Sequence, residues 1–179
     1  IGLFDNIIAA LPGVQWCKID DIIGVLAAVK DQHEIASLKT AVEITDHVFT
    51  EILPELKIGA VEQEIAAKIS YLFKMHGAEG DSYDPIIGSG YLGALPHARP
   101  TDKKFEKGDF VVMDFGALYN GYHADMTRTL LVGPATTKHQ KIYDIVLKAQ
   151  LNGINTAKTG IACSSVDEAC RSIIANHGY

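Results

Sequence analysis

Asp109-Phe-Val-Val-Met-Asp-Phe-Gly-Ala-Leu-Tyr119 and Tyr122-His-Ala-Asp-Met-Thr-Arg-Thr-Leu-Leu-Val132 are two strand-forming runs separated by a single dipeptide, Asn120-Gly121. Asn-Gly is the strongest short-range hairpin signal, because both residues of a two-residue turn must adopt positive φ. A turn there predicts opposed residues whose numbers sum to 241, with Asp114 facing Thr127 and Asp125 facing Gly116. Opposed residues share a face, as do residues two apart on one strand. Both aspartates are therefore expected on one side as diagonal neighbours, about 7–8 Å apart at Cα. One inserted residue in either strand would break this register.

Asp114 interrupts the apolar run Phe110–Phe115, where a carboxylate is costly unless it is paired, hydrogen-bonded or bound to a cation. Two converging carboxylates, with small Gly116 behind them and the Thr127 hydroxyl alongside, could hold one divalent ion or bridge two. Spacing alone leaves a second reading open, in which Asp114 ends a strand and Asp125 is a solvated hairpin residue. His123 shares the aspartates' face and is a reserve ligand candidate. His97 lies in Ala94-Leu-Pro-His-Ala-Arg-Pro100, whose two prolines predict loop or extended edge rather than helix. Gly88-Ser-Gly90-Tyr-Leu-Gly93 matches the dinucleotide fingerprint by letter. That motif needs a following helix N-terminus to receive the pyrophosphate, and Pro96 and Pro100 forbid one.

On either side of this strand region lie helical patterns that repeat. Lys57-Ile58-Gly59 leads to His76-Gly77, and Lys158-Thr159-Gly160 leads at the same spacing to His177-Gly178, an offset of 101 residues. Glycines at helix ends are common enough that the matched ends decide nothing by themselves. The apolar face is matched as well, Ile65, Leu72 and Phe73 corresponding to Val166, Ile173 and Ile174, and this favours an internal repeat. Upstream, Asp31 and Glu34 form a capping-box pattern before Ile35, Leu38, Val42, Phe49 and Ile52. Ile142, Ile145, Val146, Ala149 and Ile154 play the same part in the second copy, and Ser165 with Glu168 is expected to cap its last helix. The order is helix pair, strands, helix pair. By the repeat offset, a complete second copy would need roughly 50 residues of strand beyond Tyr179.

A length of 179 residues suits one domain with an appendage, and 47% apolar with 21% charged residues is ordinary globular composition. The longest apolar stretch, Ile22–Val29, is far short of the roughly 20 residues of a membrane-spanning helix, and no signal-peptide pattern opens the chain. A net charge of −6 has the wrong sign for a nucleic-acid or anionic-lipid partner. Three cysteines, Cys17, Cys163 and Cys170, form neither an even disulfide set nor a paired metal motif. A reducing compartment, the cytoplasm, is the expectation.

Taken together, Tyr83-Asp-Pro-Ile-Ile-Gly-Ser-Gly90, Leu95-Pro-His-Ala-Arg-Pro-Thr-Asp102, Lys107-Gly-Asp109, Met113-Asp-Phe-Gly116 and Gly121-Tyr-His-Ala-Asp-Met-Thr-Arg-Thr129 resemble the pita-bread metallopeptidases, in their aminopeptidase P and Xaa-Pro dipeptidase branch. The gaps of 17 residues from His97 to Asp114 and 11 from Asp114 to Asp125 fit that family. The resemblance implies an α+β fold of two related halves, truncated in its second pseudo-symmetric half. Residues 1–29 would be the end of an N-terminal domain and linker, and residues 30–179 a partial catalytic domain, with a first half at 30–132 and the start of a second at 133–179.

By resemblance, Asp114 is a metal-chelating aspartate and Asp125 bridges two divalent ions. His97 hydrogen-bonds substrate near the scissile peptide, and Tyr83, with Thr127 beside the pair, supports the aspartates. One histidine and two glutamates of the family's ligand set would come from beyond Tyr179, so the chain by itself is expected to be an inactive fragment. The implied activity is dinuclear metal hydrolysis of the N-terminal residue from peptides with proline in second position, by a cytoplasmic homodimer without nucleic-acid or membrane partners. Oxygen-rich ligation favours Mn²⁺, with Co²⁺ or Zn²⁺ as alternatives. Two rival readings are a non-catalytic binding module of this fold and a creatinase-like hydrolase that uses no metal.

Overall fold

The computed structural model describes residues 2–16 and 22–179, so Cys17 lies outside the described residues. Two short helices come first, α1 (Gly2–Ala10) and α2 (Ile22–Ala28), and α1 buries no residue. The body begins at α3 (Gln32–Ile52), which starts at the expected capping box. The Asp31 side chain accepts from the His33 and Glu34 N–H groups at 2.8 and 2.9 Å, and Glu34 Oε2 accepts from the Asp31 N–H at 2.7 Å. This satisfies donors that every helix start leaves orphaned. The buried stripe of α3 is Ala41, Ile44, Thr45, Val48 and Ile52. Val42, expected on that stripe, is 49% exposed, and Ile35, Leu38 and Phe49 are half-buried. The stripe is centred one residue away from the expected line because small Ala41 and polar Thr45, which an apolar count passes over, face the core.

The repeat is visible in the helix bounds. Helix α4 spans Glu62–Met75 and α6 spans Cys163–Asn176, two 14-residue helices displaced by the 101 residues read from the sequence. Their flanking glycines, Gly59 with Gly160 and Gly77 with Gly178, all adopt φ between +82° and +90°. Ser165 does not cap α6. The helix begins two residues earlier, after Ala162, and Ser165 donates its N–H to the Ala162 carbonyl at 2.9 Å. The left-handed turn at Gly160 delivers the chain into the helix at the position equivalent to Val61 before α4, so the repeated backbone sets the start. The first helix of this pair, α5 (Thr137–Thr156), buries Ile145, Ala149 and Gly153. Val146 and Ile154, expected to be buried, are more than half exposed. Residues 153 and 170 touch where the two helices cross: a Cβ on Gly153 would lie 2.4 Å from Cys170 Sγ.

Between the helix pairs lie two small antiparallel sheets. One has the order β2 (Ile86–Ser89), β3 (Phe110–Phe115), β6 (Met126–Leu131), and the other β1 (Gly80–Asp81), β4 (Ala117–Tyr119), β5 (Tyr122–His123). Strand β3 alternates as a half-buried strand must: Val111, Met113 and Phe115 are buried, while Phe110, Val112 and Asp114 face the other way. The buried set joins Ile44, Val48 and Ile52 of α3, and Ile65, Ile69, Leu72 and Phe73 of α4, in one core. The α+β expectation is met: helices cover one face of the β2-β3-β6 sheet, and Asp114 is on the opposite face, directed away from that core.

Phe115 is fully buried, with ring centroids 6.5 Å from Phe49 and 6.0 Å from Phe73. Truncation there leaves a cavity as well as losing the transfer energy of the ring. Phe115→Ala is expected to lower unfolding free energy by about 3–5 kcal/mol, read from the midpoint shift in a urea titration. A loss below about 1 kcal/mol would contradict this packing.

Candidate metal centre

Asn120 and Gly121 turn with φ of 49° and 76°, both in the left-handed region that this hairpin turn requires. Leu118 pairs with His123 and Tyr119 with Tyr122 beside the turn, and Asp114 pairs with Thr127 further down. The sum of 241 therefore holds from one end of the hairpin to the other, and no residue has been inserted. What the sequence pattern did not reveal is a kink. Ladder pairing stops between Phe115–Met126 and the Ala117–Ala124 contact, and the two sides of the kink belong to different sheets.

Gly116 is the reason the kink can form. A Cβ there would lie 1.8 Å from the Ala124 carbonyl oxygen, which no side chain permits. The Ala117 N–H donates to buried Thr45 Oγ1 at 3.0 Å, so α3 supplies its acceptor. On the neighbouring segment, Ser82 donates its N–H to the Gly116 carbonyl at 2.8 Å and its hydroxyl to the Ala117 carbonyl at 2.9 Å. These two bonds seat Tyr83 beside the kink. Thr45 and Ser82 are residues that sequence reasoning missed. The only sequence signal for Thr45 is a polar residue within an apolar helix stripe, and Ser82 carries none.

Tyr83 Oη lies 2.5 Å from Asp114 Oδ1 and 2.9 Å from Asp125 Oδ1. The two carboxylate oxygens can be no further apart than the sum of those distances, so the side chains converge. A phenol has one proton and donates to one acceptor at a time. Three oxygens thus meet around a single proton, and the two carboxylates repel one another across it. Burial first, then the hydrogen bonds to Asp114 and Asp125 and their charges, raise the Tyr83 pKa far above the usual phenol range, so its proton stays in place. A divalent cation is the partner this donor set lacks, since hard oxygen donors with net negative charge suit Mg²⁺- or Mn²⁺-like ions. In donor type and charge, the pair fits a metal.

The other expected residues are placed as follows. Thr127 is exposed and stands opposite Asp114 as its cross-strand neighbour. His97 is exposed, in the loop between a short 3₁₀ turn (Gly90–Ala94) and β3. No α-helix follows Gly88–Gly93, so the phosphate-binding reading of those glycines has no helix N-terminus behind it. His123 does not join the carboxylates: its Nδ1 lies 3.1 Å from the Ser82 carbonyl oxygen, which ties the ring to the segment holding Tyr83. Among the described residues, no group of three or more His, Cys, Asp or Glu side chains is positioned to hold a metal. The chain thus contributes a carboxylate pair rather than a full coordination sphere.

Paired antiparallel sheets under an α3/α4 layer, a kinked hairpin carrying two aspartates and a second helix pair repeating the first define one half of a two-fold metallohydrolase architecture. The chain belongs to metallopeptidase family M24, whose model matches residues 36–179. The Xaa-Pro dipeptidase of Pyrococcus horikoshii is 45% identical over 165 residues, which are 92% of this chain and 47% of that protein. Among solved structures, the prolidase from Pyrococcus furiosus superposes with a TM-score of 0.87 at 45% identity, covering 91% of this chain and 48% of that one. The X-Pro aminopeptidase from Thermotoga maritima also gives 0.87, at 37% identity, covering 100% and 51%. The fold is the pita-bread fold of those prolidases, and the chain spans about half the length of the relatives it matches. Among the described residues, no helix is long and apolar enough to cross a membrane.

Proposed function

We propose that the protein containing these residues removes the N-terminal residue from peptides with proline in second position, and that Asp114 and Asp125 are two of the ligands of a dinuclear metal site. The observation that carries this reading is the convergence of both carboxylates on the single proton of Tyr83. Support comes from membership of a metallopeptidase family and from 45% identity to an Xaa-Pro dipeptidase. When bound, divalent ions polarise a carbonyl and make water acidic enough to attack at neutral pH. Asp114 and Asp125 would hold that charge, Asp125 as the ligand to both ions, and the Tyr83 hydroxyl, within hydrogen-bond distance of each carboxylate, would orient the pair. His97, on its exposed loop, donates a hydrogen bond to substrate near the scissile peptide.

Oxygen-rich ligation favours Mn²⁺ over Co²⁺ or Zn²⁺. Residues 1–29 are assigned to the end of an N-terminal domain and linker, 30–132 to the first catalytic half and 133–179 to the start of the second. A cytoplasmic homodimer is the setting proposed, the compartment argued from free Cys163 and Cys170. The test is to load the full-length protein with Mn²⁺, Co²⁺ or Zn²⁺ in turn and assay Gly-Pro, a longer Xaa-Pro peptide and a peptide lacking proline. Turnover confined to prolyl substrates is expected, and no turnover with any metal would overturn the reading. In the same assay, His97→Ala should lower kcat about a hundredfold, the scale of losing one donor at a reacting carbonyl, with metal content unchanged.

A further inference from the structure

Glu62, the first residue of α4, is completely buried. Its Oε1 accepts from the Ser89 N–H at 2.8 Å and the Ser89 hydroxyl at 2.7 Å. Its Oε2 accepts from the Thr101 N–H at 3.0 Å and the Thr101 hydroxyl at 2.7 Å. All four partners are donors, so only a pure acceptor with two equivalent oxygens satisfies them. Ser89 and Thr101 are the residues immediately before and after Gly90–Pro100, the segment that carries His97. One buried carboxylate therefore grips both ends of that loop, one oxygen to each end.

The surrounding groups reinforce the grip. The Glu62 and Gln63 N–H groups donate to the Lys103 and Thr101 carbonyls, each at 3.1 Å, so the segment leaving the loop caps a helix whose own N-cap, Val61, offers no side-chain acceptor. Lys103 Nζ donates to Ser89 Oγ at 2.9 Å and to Asp109 Oδ2 at 2.6 Å. At the loop's entry, Gly90 has φ +57° and lies so close to Asp109 that a Cβ would stand 2.7 Å from its Oδ1. Such charge-assisted bonds are about twice as strong as neutral ones, and breaking one inside a buried network strands donors as well as losing contacts.

From this arrangement we infer that Glu62 is a positioning residue for the reaction, holding the Gly90–Pro100 loop so that His97 is presented to substrate. The inference rests on the role proposed for His97. Glu62→Gln tests it with almost no change of shape, because the amide turns two donors toward the donors of either Ser89 or Thr101. In the full-length protein loaded with Mn²⁺, hydrogen exchange of the loop amides should accelerate at least about tenfold while α3 and α5 keep wild-type protection. Turnover of Gly-Pro should lose about a hundredfold in kcat, the scale of a 1 Å misplacement, with KM and metal content little altered. Thr101→Val, which removes only one hydroxyl, should move both readouts the same way by less, and stands in for Glu62→Gln if that variant does not fold.

Wild-type exchange in the loop, or acceleration spread equally over α3 and α5, would overturn the inference. A loosened loop with wild-type kcat would overturn it too, as long as His97→Ala is impaired. If the loop loosens and His97→Ala also keeps wild-type kcat, it is the role proposed for His97 that fails, while the clamp on the loop stands.

Discussion

Asp125→Ala in the full-length protein is expected to abolish turnover of Xaa-Pro substrates and to leave fewer than two ions per active site. Replacing a residue that only supports a metal ligand costs about 10- to 100-fold, and a carboxylate shared between two ions contributes more than a supporting residue. The fold should survive the change. Asp125 is exposed, and in the metal-free state its charge and that of Asp114 oppose each other across one hydroxyl proton. Removing one of two like charges relieves that repulsion, so the metal-free variant should unfold at a temperature no lower than the wild type. Metal analysis, a thermal melt and a Gly-Pro assay on one preparation give all three results. Two ions retained with near-wild-type turnover would show that Asp125 is not a bridging ligand, and a lowered melting temperature would show that the carboxylates do not repel in the metal-free state.

The parts of this molecule that were legible beforehand are those whose information is local. Asn120-Gly121 specifies a turn, and a turn of fixed length specifies the register of every pair below it, so the approach of Asp114 to Asp125 follows from a dipeptide. The repeat was legible because the glycines matched at an offset of 101, Gly59 with Gly160 and Gly77 with Gly178, come with a matched apolar face, Ile65, Leu72 and Phe73 with Val166, Ile173 and Ile174. What escaped is held by partners distant in the chain. Glu62 looks like an ordinary acidic residue in a first helical turn, and its role depends on Ser89 and Thr101, 27 and 39 residues away. The hairpin kink needed the knowledge that the Ala124 carbonyl approaches Gly116, and alternation alone cannot distinguish a glycine that packs closely from one that merely turns. For α6, the shifted start came from copied backbone geometry rather than from a capping side chain, a substitution that the composition of the first turn does not display.

The 179 residues taken alone are expected to bind Mn²⁺ weakly and to turn over no Xaa-Pro peptide. Affinity at a metal site follows the number of donors, their geometry and the groups that orient them. Within the described residues, Asp114 and Asp125 converge with Tyr83, and no third acidic, histidine or cysteine side chain joins them. Two carboxylates supply at most half of a dinuclear coordination sphere, and the repulsion between them across the Tyr83 proton gives a first ion something to relieve but little to hold a second. Leu147, Leu151 and Ile154 are also exposed along α5, apolar surface that favours self-association. Calorimetric titration of the isolated chain with Mn²⁺, paired with assays on Gly-Pro and a longer Xaa-Pro peptide, should give binding weaker than micromolar and no turnover. Micromolar binding with measurable hydrolysis of either peptide would mean that the coordination sphere is completed from within these residues, through His123 or across a pair of chains, and that the catalytic centre does not depend on donors from a second half.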